Sequence, residues 1–272
     1  MGMRLGCGAA LYEWQRGETF AAPRKVDCPL PRVDLLTLDG AMVDNTAHLL
    51  LHGGQMHPCD RDIEALLSWE HHALLLSSDT DCLSLWDAEG PLRTLRIGVY
   101  PQDMALHGRT AVVCGGVDGK VHVVRLPQLD LLASFSVPGM PERICVSGGN
   151  AYLLTLLPEP EVHTALLQLD LNTGKHQELQ RFAGLPGAIC ATPDGLWVAA
   201  SEVLMHLSLD DAQPDAVIRG FGLIRHLDAR GSAALATDPL EGICALAEAS
   251  PRPSVSVLYR GDVSMAIFTG DG

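Results

Sequence analysis

Cys82-Leu-Ser84-Leu-Trp86-Asp87-Ala-Glu-Gly90 reads as a short strand closed by a polar turn. Ser84 stands between apolar neighbours, the period-two pattern of an extended chain with one face covered. Lys120-Val-His122-Val-Val-Arg125, Ala165-Leu-Leu-Gln168-Leu-Asp170 and Leu204-Met-His206-Leu-Ser-Leu repeat the pattern. Ser84, His122, Gln168 and His206 take the same slot, 38, 46 and 38 residues apart. After each strand come a polar turn and a further extended run, at 92–97, 131–137, 177–182 and 216–218.

The other half of the unit recurs as well. Pro101, Pro141 and Pro186 open apolar runs and lie 40 and 45 residues apart; the run 223–228 continues the series without proline. Each run is followed by a turn and another apolar stretch, at 110–114, 151–156, 196–200 and 233–236. The repeat of about 40 residues therefore holds four short strands. One such sheet cannot bury both faces alone. Packed radially, each sheet covers its neighbours and leaves only short edges. Near-continuous apolar runs such as Ala73-Leu-Leu-Leu76 suit strands covered on both sides. Ile63, Leu66, Leu67 and Leu74 also fit a helix face, but 27 glycines, 17 prolines and the close turn spacing favour strands.

Ser77-Ser-Asp79-Thr-Asp81-Cys-Leu-Ser-Leu-Trp86-Asp87 resembles the second half of a WD repeat, including its Trp-Asp pair. Gly115-Gly-Val-Asp118-Gly-Lys-Val-His-Val-Val124 is similar with the pair lost. The match is good over these two repeats and loose over 140–260, and the Gly-His pair that opens a WD repeat is absent. The resemblance implies structural roles for Asp79 or Asp81, Trp86, Asp87 and Asp118, with the turn aspartates accepting backbone and side-chain hydrogen bonds.

The expected fold class is all-β: a β-propeller, a single domain over 1–272, of seven four-stranded blades, with six as the alternative count. Blades are placed at 62–98, 99–139, 140–184, 185–222 and 223–261, with an irregular one at 25–61. Residues 10–20 read as the last two strands of a blade whose first strand is missing upstream. The run 263–268 is a strand without a following partner. If the two ends share a blade, the ring closes and two free edges vanish.

Acidic residues outnumber basic ones, 33 to 19, for a net charge of −14. That balance, with no basic run, excludes a nucleic-acid or anionic-membrane surface. No apolar stretch approaches a transmembrane length, and no signal peptide or myristoylation pattern is read at the N-terminus. Eight cysteines lie scattered without a Cys-x-x-Cys pair, mostly inside strand-like runs. They read as reduced core thiols of a cytoplasmic protein.

No catalytic residue, metal or cofactor is expected. There is no Gly-x-Ser-x-Gly elbow, no P-loop and no dinucleotide fingerprint. His48, His52, His57, Cys59, His71 and His72 are metal-ligand types, but the spacing His-x4-His-x-Cys fits no recognised zinc module. Asp210-Asp211 and Glu159/Glu161 fall in expected hairpin loops and read as solvated charges.

Better placed are Glu64, Asp103, Arg143 and Arg225, at the starts of the innermost strands, 39, 40 and 82 residues apart. These starts converge on the propeller axis, where mixed charges can hold a peptide or a small polar ligand. The expected function is a non-catalytic interaction scaffold with a protein or peptide partner at one end of the ring. The alternative is a propeller enzyme of lactonase or lyase type, with a polar or metal-dependent site in the central funnel.

Overall fold

A computed structural model describes residues 2–15, 24–158, 160–209, 213–249 and 252–269. Within them the chain forms seven four-stranded antiparallel sheets set in a ring: a seven-bladed β-propeller. The N-terminal segment supplies β1 (Gly2–Cys7), β2 (Ala10–Gln15) and β3 (Arg24–Val26). Blade two is the irregular one, with β4 (Leu35–Leu36), β5 (Met42–Asp44), β6 (Leu49–His52) and β7 (Gln55–Pro58). Blade three holds β8 (Ile63–Trp69), β9 (His72–Ser77), β10 (Cys82–Asp87) and β11 (Gly90–Arg96). Blade four holds β12 (Asp103–His107), β13 (Thr110–Cys114), β14 (Lys120–Arg125) and β15 (Asp130–Ser136).

Blade five runs through β16 (Met140–Ser147), β17 (Asn150–Leu157), β18 (His163–Asp170) and β19 (His176–Ala183). Blade six is β20 (Pro186–Thr192), β21 (Gly195–Ala200), β22 (Val203–Leu207) and β23 (Pro214–Arg219). Blade seven is β24 (His226–Arg230), β25 (Ala233–Asp238), β26 (Ile243–Glu248) and β27 (Ser254–Arg260). Finally β28 (Met265–Thr269) pairs with β1 and becomes the innermost strand of blade one. The ends share a blade as expected, but the N-terminus gives three strands. Gly2–Cys7, to which the sequence reading assigns no strand, is itself a strand. Residues 16–20 of the expected pair lie outside the described residues, as do Glu159, Asp210 and Asp211.

One apolar core fills each gap between neighbouring blades, seven in all. The second strands are walled in on both sides, and β21 is buried at every position. The outer strands β11, β15, β19 and β27 are mostly exposed. This division explains why the apolar runs are continuous in the second strands and broken in the fourth.

The polar slot in the third strands changes side around the ring. Leu83 and Leu85, like Val121 and Val123, face the following blade, so Ser84 and His122 face the preceding one. In blades five and six the alternation is reversed. Leu167 and Leu169, and Met205 and Leu207, pack against the preceding blade, so Gln168 and His206 point to the following one. The 46-residue spacing therefore contains a one-residue slip, which in a strand flips every side chain.

The residues carrying the WD resemblance make local contacts. Trp86 Nε1 donates to Ser84 Oγ at 2.8 Å, and Asp87 Oδ1 accepts the Glu89 and Gly90 amides at 2.8 and 3.0 Å. Asp81 Oδ1 accepts the Tyr100 amide at 2.8 Å, fixing the crossing to blade four, while Asp79 is exposed in the same turn. Asp118 takes the Lys120 amide at 2.9 Å and sits 3.1 Å from His122 Nε2, whose Nδ1 lies 2.9 Å from Ser134 Oγ.

All eight cysteines are free thiols, and burial pushes those of Cys7, Cys190 and Cys244 up to about 12.

Candidate functional site

The first strands of the blades enclose a central channel of about 950 Å3. It is lined by Glu64, Asp103, Arg143 and Arg225, so the four residues singled out from the sequence do come together. They stand in two adjacent layers, not one. Ala65, Asp103, Arg143, Ala188 and His226 each oppose a second-strand residue at matching depth: Leu76, Cys114, Leu154, Ala199 and Thr237. Glu64 and Arg225 lie one residue earlier, in the layer of Gln102, Glu142 and Gly187. Glu64 falls in a bulge, as Glu142 and Gly187 do in blades five and six, whereas Arg225 is the residue just before β24, which pairs without a bulge.

Two members of the cluster also tie blades together. Asp103 accepts the Met104 amide at 2.9 Å and the Ile144 amide of the next blade at 3.0 Å. Arg143 donates from Nε to Gly187 O at 2.9 Å, again across a blade boundary, and from Nη1 to Glu142 O at 2.7 Å. Gly187 has no room for a side chain: a Cβ would come within 2.6 Å of Ile224 O and 2.8 Å of Ala199 O. Glu64 is held by Ser78 Oγ at 2.8 Å. Arg225 is different. Among the described residues no hydrogen bond or ion pair of its guanidinium is found, although it is half-buried in the channel.

Electrostatics separate these groups. Burial raises Asp103 to about 6, despite the pull of Arg143 and the two amides. Burial likewise lifts Glu142, against Arg143 and Arg225. Burial and then Arg143 press Arg225 below its ordinary value. His226, which the sequence reading passed over, is driven down to about 4 by burial, then by Arg143 and Arg225. Near neutral pH the channel thus holds a neutral imidazole and two guanidiniums set against the carboxyl groups of Glu64, Asp103 and Glu142. A guanidinium with hydrogen-bonding capacity to spare in such a mixed-charge site suits a carboxylate or phosphate group. Only the alternation of Arg225 with His226 hinted at the histidine, and no motif marks it.

His226 and Asp103 have opposite linkage. The folded Asp103 holds its proton up to about 6, above its unfolded 3.8, so it lowers stability as pH rises through 4 to 6. The folded His226 releases its proton near 4, below its unfolded 6.5, so it raises stability over nearly the same window. Asp103→Asn is therefore expected to tilt the stability–pH slope upward between pH 4 and 6, and His226→Gln downward. Each change should be on the order of 1–3 kcal/mol across the window. Urea unfolding at pH 4, 5 and 6 measures it; parallel slopes in the two variants would refute the assignment.

The end where the first strands begin carries a second feature. Loops into first strands and loops joining second to third strands meet there. They expose Val99, Tyr100, Val117, Val162, Leu185 and Leu240, the last 76% exposed. Val99 and Val117 are joined by a 3.0 Å backbone hydrogen bond, so part of this rim is continuous. The channel wall becomes apolar toward the far end, with Leu67, Leu106, Val146 and Leu227.

The histidine cluster splits. His48 and Cys59 meet at the funnel end, where the Cys59 amide donates to His48 O at 2.9 Å. His52, His57, His71 and His72 lie in or beside the hairpins of the opposite end.

These features define the class as a seven-bladed β-propeller with a polar axial funnel. No family model and no curated protein matches the sequence. Solved structures match over nearly the whole chain. A candidate 6-phosphogluconolactonase from Bacteroides uniformis aligns at TM-score 0.70 and 10% identity, covering 97% of this chain and 98% of that one. A functionally unknown protein from Desulfotomaculum acetoxidans gives 0.68 and 11%, covering 96% and 97%. A chain of a nidogen/laminin complex gives 0.62 and 10%, covering 98% and 97%. At these identities the likeness establishes the fold.

Proposed function

We propose that this chain is a non-catalytic recognition module that binds a protein or peptide at its funnel end. The observation that carries the reading is that exposed apolar loop residues lie at the same end of the ring as Arg225, whose guanidinium makes no hydrogen bond or ion pair among the described residues. An apolar rim around a polar pocket is the make-up of a docking surface. In this reading the rim takes apolar side chains of the partner, and Arg225 with Arg143 takes one anionic group, a side-chain or terminal carboxylate. The free thiols and acidic surface fit a cytoplasmic setting without nucleic-acid or membrane partners.

The test uses three proteins: the parent, Arg225→Gln and Tyr100→Ser/Val117→Ser. Partners crosslinked to the parent are identified, and their affinity for purified protein is measured. Both variants are expected to weaken binding at least about tenfold while melting near the parent temperature. A partner that binds both variants as tightly as the parent would overturn the proposal.

A second reading has its own support. Asp103, with a proton affinity near 6, stands in the same cluster as the two arginines. A lactonase acting on an anionic sugar lactone needs an acid–base group beside an anion clamp. Incubation with 6-phosphogluconolactone decides it. Hydrolysis no faster than the buffer rate removes this reading; faster hydrolysis that is lost in Asp103→Asn removes the first.

A further inference from the structure

Far from the funnel mouth, the turn between β8 and β9 gathers metal-ligand chemistry that the sequence spacing did not suggest. Glu70, His71 and His72 each present a ligand atom there, all within 4.8 Å of one another. We propose that this hairpin tip binds a divalent transition-metal ion, zinc or copper, through a Glu70 carboxylate oxygen and one nitrogen from each imidazole.

Four observations support the site. The two histidine rings are 4.0 Å apart between centroids, close enough for one ion to reach both. Among the described residues, His72 Nδ1 is buried without a hydrogen-bond partner of good geometry. The His72 ring stacks on Trp69 at 5.7 Å with 22° between planes, which limits its rotation. From the neighbouring blade, the buried His52 places Nε2 3.1 Å from the His71 carbonyl oxygen and anchors the turn.

The ligand chemistry selects the ion. Two imidazoles and a carboxylate suit zinc or copper, and are poorly matched to calcium, which takes six or more oxygens. Three protein ligands leave a coordination position open, as in zinc sites that hold a water or an outside ligand. Glu70 and His71 are exposed, so the ion has direct access from solvent.

The test titrates untagged, metal-free protein with zinc by calorimetry and with copper by electron paramagnetic resonance. One saturable ion per chain is expected, with nitrogen hyperfine structure in the copper spectrum. His71→Gln and His72→Gln should each weaken zinc at least about tenfold, and Glu70→Gln should weaken it less. His176→Gln, in the exposed outer strand of blade five, should bind like the parent. His71 is exposed, so its variant keeps the comparison valid if His72→Gln disturbs the fold. No saturable zinc uptake by the parent, or unchanged affinity in His71→Gln, would overturn the proposal.

Discussion

Deleting Met265–Thr269 is expected to abolish cooperative folding. Those five residues are the innermost strand of blade one, registered against Gly2–Gly6 of β1. Ala266 and Phe268 pack into the core shared with blade seven, while Ile267 fills the core shared with blade two. Phe268 is 1% exposed, and its amide donates to the Asp228 carboxylate at 2.6 Å, across the junction with blade seven. Removing the strand opens two of the seven inter-blade cores at once. It also bares the edge of β1 and strands the carboxylate of Asp228, whose proton affinity burial already raises. Phe268→Ala alone should cost about 3–5 kcal/mol, the usual loss for a buried aromatic. Circular dichroism melts and size-exclusion profiles report both. A sharp melting transition of the truncated protein at the parent temperature would show that the ring does not depend on this closure.

That closure was half legible in the chain. The unpartnered run at 263–268 demanded a partner, and a ring supplied one. What the sequence hid was Gly2–Cys7. Two of its residues are glycines, which carry a weak strand signal, and a strand walled in on both faces has no alternation to display. Met3 and Leu5 are buried against blade seven, and Gly6 is pressed against Val33, where a Cβ would lie 3.0 Å from Val33 O.

The same limit shaped the candidate site. Prolines 101, 141 and 186 dated the first strands well, so Asp103 and Arg143 were placed in their true common layer. Glu64 and Arg225 sit one residue out of that layer because no proline marks the start of either strand, and the bulge at Glu64 is invisible in a repeat alignment of one chain. The slip between His122 and Gln168 involves no bulge in the third strands; the polar residue simply stands one position later in blades five and six. Four residues nevertheless reached the channel, since a one-residue shift moves an inner-strand residue along the axis without removing it from the wall. Glu142 and His226 were not anticipated. Their roles arise from proximity to Arg143 and Arg225, which are separated along the chain by two blades and united only at the axis.

Trp197→Ala should be among the most damaging single substitutions, at about 3–5 kcal/mol. Trp197 is fully buried between blades six and seven, where six of its core companions are alanines: Ala188, Ala199, Ala234, Ala236, Ala245 and Ala247. The indole supplies the volume those short side chains leave. Once it is gone, no flexible neighbour among them can swing in, so most of the cavity persists and the loss should fall at the upper end of the range. Trp197→Phe is the informative control. Indole Nε1 is buried without a hydrogen-bond partner, a state that costs about 1–3 kcal/mol. Phenylalanine removes that orphaned donor while keeping an aromatic face toward His206, whose ring meets the indole edge-on at 5.1 Å. The relief offsets part of the lost volume, so the phenylalanine variant should lose less than half as much as the alanine one. Urea midpoints at neutral pH measure the two losses. Equal destabilisation would mean that the indole nitrogen is satisfied in solution and that volume alone does not set the stability of this interface.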